Sequence, residues 1–139
     1  MKRRNFIVIM QPVGKERPYV TKRGTFTPEK TRRAEAHIAK TYRDKYPLLK
    51  PIVGPVAVDI AIYGTLPKSC SSKVAEANYA KRPDIDNIAK TVLDALNGVA
   101  YKDDAYVVKL TATKIPRTPE SITGMLISVS PVEEKVRRS

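Results

Sequence analysis

Between Val56 and Tyr63 the chain alternates without interruption. Val56, Val58, Ile60 and Ile62 take one side of an extended segment, and Ala57, Asp59, Ala61 and Tyr63 take the other. Such a strand puts one face in a core, so helices must cover that face of its sheet. The remaining elements are read around it. Phe6–Met10 is a short apolar, β-branched run and predicts a buried strand. Residues 11–27, marked by Pro12, Gly14, Pro18 and Gly24, read as a loop. Thr27-Pro28-Glu29 predicts a helix start, with Thr27 as N-cap and Pro28 at the first helical position. That helix runs to about Tyr46, before Pro47, with a sparse apolar face of Ala34, Ile38, Thr41 and Tyr42.

The second half follows the same logic. Residues 65–82 form a long connection with room for one helical stretch, Ser72–Tyr79. Asp86–Leu96 is an amphipathic helix with Ile88, Val92, Leu93 and Leu96 on its apolar side and Gly98 as its stop. Ala105–Ile115 and Ile122–Val129 predict two strands joined as a hairpin around Pro116–Pro119. The order is β-α-β-(α)-α-β-β. The expected class is α+β, a two-layer α/β sandwich with a small mixed, mostly antiparallel sheet and helices on one side. A chain of 139 residues suits one domain, placed at 1–132, with the charged stretch 133–139 as a frayed tail.

Several function classes drop out. One cysteine, Cys70, excludes an intramolecular disulfide and a thiolate metal cage. One histidine, His37, excludes a histidine-rich metal site, and both residues read as structural. The apolar run after the basic start spans only Phe6–Met10, short of a signal h-region, and nothing approaches a bilayer span of about 20 residues. The expectation is a soluble cytoplasmic protein without a membrane partner.

The formal net charge of +12 favours a polyanionic partner. It is unevenly spread. Residues 1–50 carry 14 basic and 4 acidic side chains, residues 51–100 carry 5 and 5, and residues 101–139 carry 7 and 5. Lys15, Arg17, Lys22 and Arg23, interleaved with Tyr19 and Phe26, are candidates to grip a phosphate backbone. Either aromatic suits base stacking or core packing. Against this background, 5 of the 14 acids fall between Asp84 and Asp104.

In that region Asp84 and Asp86 stand two residues apart where the chain enters the helix, and Asp86, Lys90 and Asp94 recur every four residues on one face. Asp103-Asp104 follows the helix, and a return of the chain could bring either acid beside Asp84 and Asp86. Three carboxylates within about 4 Å repel by roughly 4 kcal/mol per pair at an effective dielectric near 20. They stay ionised together around a cation, and oxygen ligands alone select Mg²⁺, with Mn²⁺ as a substitute. Taken singly, Asp86 also reads as a helix cap, Asp94 as an ion pair with Lys90, and Asp103-Asp104 as a turn.

The run Arg82-Pro-Asp-Ile-Asp-Asn-Ile-Ala-Lys-Thr-Val-Leu-Asp-Ala-Leu-Asn-Gly98, continuing through Asp103-Asp104 to Val107, closely resembles the signature of the RusA family of Holliday junction resolvases, many of them encoded by prophages. Gly14-Lys-Glu-Arg-Pro18 and Phe26-Thr-Pro28 are similar to segments of its bacterial and phage branch. Tyr106 stands where that family has Gln. Pro83 stands where some members carry a basic residue, which leaves Lys81 and Arg82 to make phosphate contacts.

The resemblance implies a homodimeric, Mg²⁺-dependent endonuclease that resolves four-way junction DNA by paired symmetric nicks in recombination and repair. By position, Asp84, Asp86 and Asp104 would bind the metal, Asp103 would support them, and Lys90 would be the catalytic lysine. Two other classes are compatible with the composition. One is a non-catalytic junction- or duplex-binding protein, and the other is a metal-dependent phosphohydrolase acting on other nucleic acids.

Overall fold

The computed structural model describes residues 3–15, 17–26, 28–64, 83–116 and 122–133. In chain order the elements are β1 (Arg4–Val8), β2 (Tyr19–Thr21), β3 (Gly24–Phe26), α1 (Glu29–Lys45), β4 (Val56–Tyr63), α2 (Ile85–Leu96), a 3₁₀ turn (Asp104–Tyr106), β5 (Val107–Lys114) and β6 (Gly124–Pro131). The mixed sheet has the order β1-β6-β4-β5, and β2 and β3 form a separate hairpin. In the sheet β6 pairs antiparallel with β1 and β4, whereas β4 and β5 are parallel. The fold is α+β, with α1 and α2 on one face of a mostly antiparallel sheet.

The alternation of β4 is the register of the core. Val58 pairs with Val129, Ile60 with Ile127 and Ile62 with Met125, all at most 4% exposed. The two most one-sided strands thus meet at the centre of the sheet. Each fully buried aliphatic chain contributes about 1.5–3 kcal/mol. α1 and α2 pack against each other over this face. From α1 come Ile38 and Tyr42, and from α2 Ile88, Val92 and Leu96. Tyr42 meets Phe6 of β1 edge-on at 5.5 Å and accepts a hydrogen bond from Arg4 Nη1 at 2.6 Å. Ile7, Leu126 and Ala61 line up across the opposite, uncovered face.

The expected hairpin between the last two strands does not form. β5 and β6 lie on either side of β4. β6, with Met125, Ile127 and Val129 buried, takes the apolar centre; β5, carrying exposed Lys109, Thr111 and Thr113, takes the edge. Charged side chains are a common guard on such an edge. Period-two patterning identifies both strands but carries no information on their neighbours.

Smaller differences have local causes. β1 covers Arg4–Val8, not Phe6–Met10; Ile9 is 59% exposed. Pro28 is the N-cap of α1 with extended ψ 140°, and the helix begins at Glu29. The stretch read as a loop holds the β2–β3 hairpin, whose two-residue turn is Lys22-Arg23. Asp104–Tyr106 forms a 3₁₀ turn, so β5 starts at Val107. The readings at Thr27, Cys70, Ser72–Tyr79, Lys81, Arg82 and residues 134–139 lie outside the described residues.

This arrangement predicts a sharp asymmetry between the faces of the sheet. Ile127→Ala should cost about 2–5 kcal/mol in urea unfolding through the cavity it leaves. Ile7→Ala, on the uncovered face at 61% exposure, should cost below about 1 kcal/mol.

Candidate active site

α2 begins where the chain returns after β4. Pro83 precedes Asp84, which occupies the N-cap position in extended geometry (φ −67°, ψ 151°). Its backbone carbonyl accepts the Ile88 N–H at 3.1 Å, while its carboxylate makes no capping bond. Asp86 follows in the first turn. Because Ile88, Ala89, Val92, Ala95 and Leu96 are buried, Asp84, Asp86 and Lys90 are left exposed. The amides of this first turn favour anions close by.

The loop leaving β1 closes over the same helix. The Lys15 N–H donates to the Asn87 carbonyl at 3.0 Å. Gly14 lies so close that an added Cβ would stand 2.7 Å from Pro83 Cβ and 3.2 Å from Asn87 Cβ. Only glycine allows that approach. Lys15 Nζ reaches Glu35 of α1 at 2.7 Å and Asp94 of α2 at 3.1 Å. Partial burial opposes the Lys15 charge, but the two carboxylates outweigh it and hold its pKa above the ordinary lysine value. Beside this contact lies a crevice of about 440 Å³ whose walls include Gly14, Lys30, Pro83, Asp84 and Asn87.

The other acid pair lies past the far end of α2. Gly98, at φ +75°, turns the chain out of the helix. Tyr101, fully buried, donates its hydroxyl to the Leu93 carbonyl at 2.6 Å, in the last turn where helical carbonyls lack internal partners. Burial first, and then the charges of Asp104 and Asp94, push the Tyr101 phenol well above its ordinary pKa. Asp103 accepts the Ala105 N–H at 3.0 Å. That bond and one shared with Asp104 hold the Asp103 carboxyl below the ordinary range. Asp104 is held above it by the shared bond, by desolvation and by the charges of Asp103 and Asp94.

The acids therefore fall into two sets. A helix of 12 residues spans about 18 Å, with Asp84 and Asp86 at its start and Asp103-Asp104 beyond its end. The chain returns Asp104 to Asp94, not to Asp84 and Asp86. Parallel pairing of β4 and β5 explains this, because a crossover must carry the chain to the opposite end of the sheet before β5 begins. Among the described residues no group of three or more acidic, histidine or cysteine side chains lies close enough to hold a metal ion.

Of the basic candidates, Arg17, Lys22 and Arg23 are exposed, the last two at the tip of the β2–β3 hairpin. Lys15 is drawn inward to its two carboxylates. Tyr19 and Phe26 pair in register across the hairpin. Lys81 and Arg82 lie outside the described residues. The ion pairs of Lys15 were not visible in the sequence, where Asp94 reads most simply as a partner for Lys90 four residues before it.

Two comparisons bear on this arrangement. The family described as Endodeoxyribonuclease RusA matches residues 10–123. That stretch takes in the Lys15 loop, both helices and both acid pairs. The chain belongs to the RusA endodeoxyribonuclease family. It is also similar to an uncharacterized protein, YqaN, of Bacillus subtilis (strain 168), at 31% identity over 140 residues, covering 90% of this chain and 96% of the relative.

RusA membership indicates endodeoxyribonuclease activity, in a family whose nucleases typically use a divalent metal. The donors present suit a hard cation. Asp84 and Asp86 are exposed, and among the described residues neither carboxylate is tied up in a hydrogen bond or ion pair. Mg²⁺ is commonly held by one or two carboxylates together with substrate phosphates, so a RusA site of this kind does not require a three-acid cage. Among the described residues no helix is long and apolar enough to cross a membrane.

The turn after α2 makes its own prediction. Tyr101→Phe should destabilise the protein by about 1–3 kcal/mol in urea unfolding, because the Leu93 carbonyl loses its donor.

Proposed function

We propose that this RusA protein is a Mg²⁺-dependent, structure-specific endodeoxyribonuclease that resolves four-way DNA junctions by paired symmetric nicks. The observation that carries the reading is the start of α2, where Asp84 and Asp86 are exposed without partners among the described residues and Lys90 follows one turn later on the polar side. Asp84 and Asp86 would hold the metal together with a DNA phosphate, and Asp104, supported by Asp103, is the further acid of the family signature. A metal held there would supply Lewis-acid polarisation of the phosphate and activation of a water for attack. Lys90 stabilises the charge that develops on the phosphate. The first-turn amides of α2 orient the same anion.

Binding is assigned to the exposed basic surface. Arg17 and the hairpin tip, Lys22 and Arg23, contact the DNA backbone, joined by Lys81 and Arg82. A homodimer follows from the substrate. A four-way junction is nearly two-fold symmetric, and two matched cuts require two sites related by the same axis.

Incubation with labelled four-way junction, linear duplex and RNA hairpin, with and without Mg²⁺, tests the reading. Symmetric nicks in the junction alone, dependent on metal, are expected. Asp86→Asn should lower cleavage by at least about 10²-fold while junction binding persists. Cleavage of the RNA hairpin, or binding without cleavage under every metal tried, would sink the proposal. Replacing Lys22 or Arg23 by Ala should weaken binding to all sequences alike and flatten the salt dependence by about one unit each.

A further inference from the structure

The Lys15 side chain is only 16% exposed and reaches Glu35 and Asp94 at 2.7 and 3.1 Å. Its backbone is fixed to the same helix through the Asn87 carbonyl, and Gly14 seats against Pro83 and Asn87. Lys15 thus runs along α2 from Asn87 to Asp94. On α2, Asp94 lies four residues beyond Lys90, the spacing at which a lysine and an aspartate on an isolated helix pair. That pair is not made here. Asp94 is bonded to Lys15, and Lys90 is exposed with no ion pair to a described residue.

We propose that Lys15 is a positioning residue: by occupying Asp94 it withholds that carboxylate from Lys90 and leaves the Lys90 ammonium free to meet the DNA phosphate. The inference rests on the nuclease reading, in which Lys90 acts on that phosphate. It also gives Lys15 a different task from the exposed Arg17, Lys22 and Arg23. Without Lys15, the Asp94 side chain, 30% exposed, loses that partner, and Lys90 is the cation one helical turn away.

The test is a suppressor experiment. In Lys15→Met, turnover of a saturating four-way junction in Mg²⁺ should fall about three- to fivefold, the scale of one competing helix ion pair. The junction Kd and its salt slope should not change. Adding Asp94→Asn to Lys15→Met removes the competing carboxylate and should return turnover to within about twofold of the parent protein. A salt slope flattened by about one unit in Lys15→Met would make Lys15 a phosphate contact and overturn the proposal. A double variant no faster than the single would overturn it equally.

Thermal melts check that each variant folds, and Lys15→Gln serves if Lys15→Met does not. The Lys90 ammonium resonance, followed by NMR without DNA or metal, should shift in the single variant and return in the double. That separates two failures. If the parent protein cuts no junction while the resonance moves as expected, the nuclease reading fails and the ion-pair exchange stands. If the protein cuts and the resonance stays put, the exchange is wrong.

Discussion

Parallel pairing of β4 with β5 is the constraint from which the rest of the molecule follows. Two parallel neighbours cannot be joined by a tight turn, so the chain must climb over the sheet, and α2 does so. Its apolar side, Ile88, Val92 and Leu96, lands on the face where Val58, Ile60, Ile127 and Met125 are buried. Its polar side is turned away, and that is where the chemistry-bearing residues lie. The crossover also fixes which acids can meet. Whatever starts α2 is separated by the helix length from whatever follows it.

Electrostatics divides along the same line. At the start of α2, Asp84 and Asp86 remain exposed and unpaired among the described residues, close to a helix end that favours anions. Such an end binds a phosphate readily, and two free carboxylates beside it call for a cation to make the three compatible. At the other end, Asp103 and Asp104 share a hydrogen bond and divide their proton affinities, one lowered and one raised. Asp94, near that second end, stands between Lys15 on one side and Asp104 on the other. The basic excess of the first fifty residues is likewise not uniform. The Lys15 ammonium is consumed within the fold, whereas Lys22 and Arg23 project at the hairpin tip.

Much of this was legible in the sequence because it follows from periodicity. The β4 alternation gave its bounds, Val56–Tyr63, and the spacing of Ile88, Val92 and Leu96 gave α2 to within one residue. The carboxylates and Lys90 were legible as types at fixed spacings on one helix. Strand order was not, because nothing in β5 or β6 says that each pairs with β4 and not with the other; the distribution of Lys109 and Thr111 against Met125 and Ile127 explains the outcome only once the pairing is known. The same gap hid the separation of the two acid pairs. The β2–β3 hairpin is three residues per strand, too short for an alternation to register. Lys15 engages Glu35, 20 positions away, a contact no local pattern encodes.

The central claim is that the start of α2, and not its far end, holds the metal that the nuclease uses. Addition of Mn²⁺ to the junction-bound protein, followed by paramagnetic broadening of assigned backbone amides, reads that position directly. The account predicts that broadening begins at residues 83–90 and is abolished there by Asp86→Asn. Broadening confined to residues 101–106, with the start of α2 untouched, would contradict it.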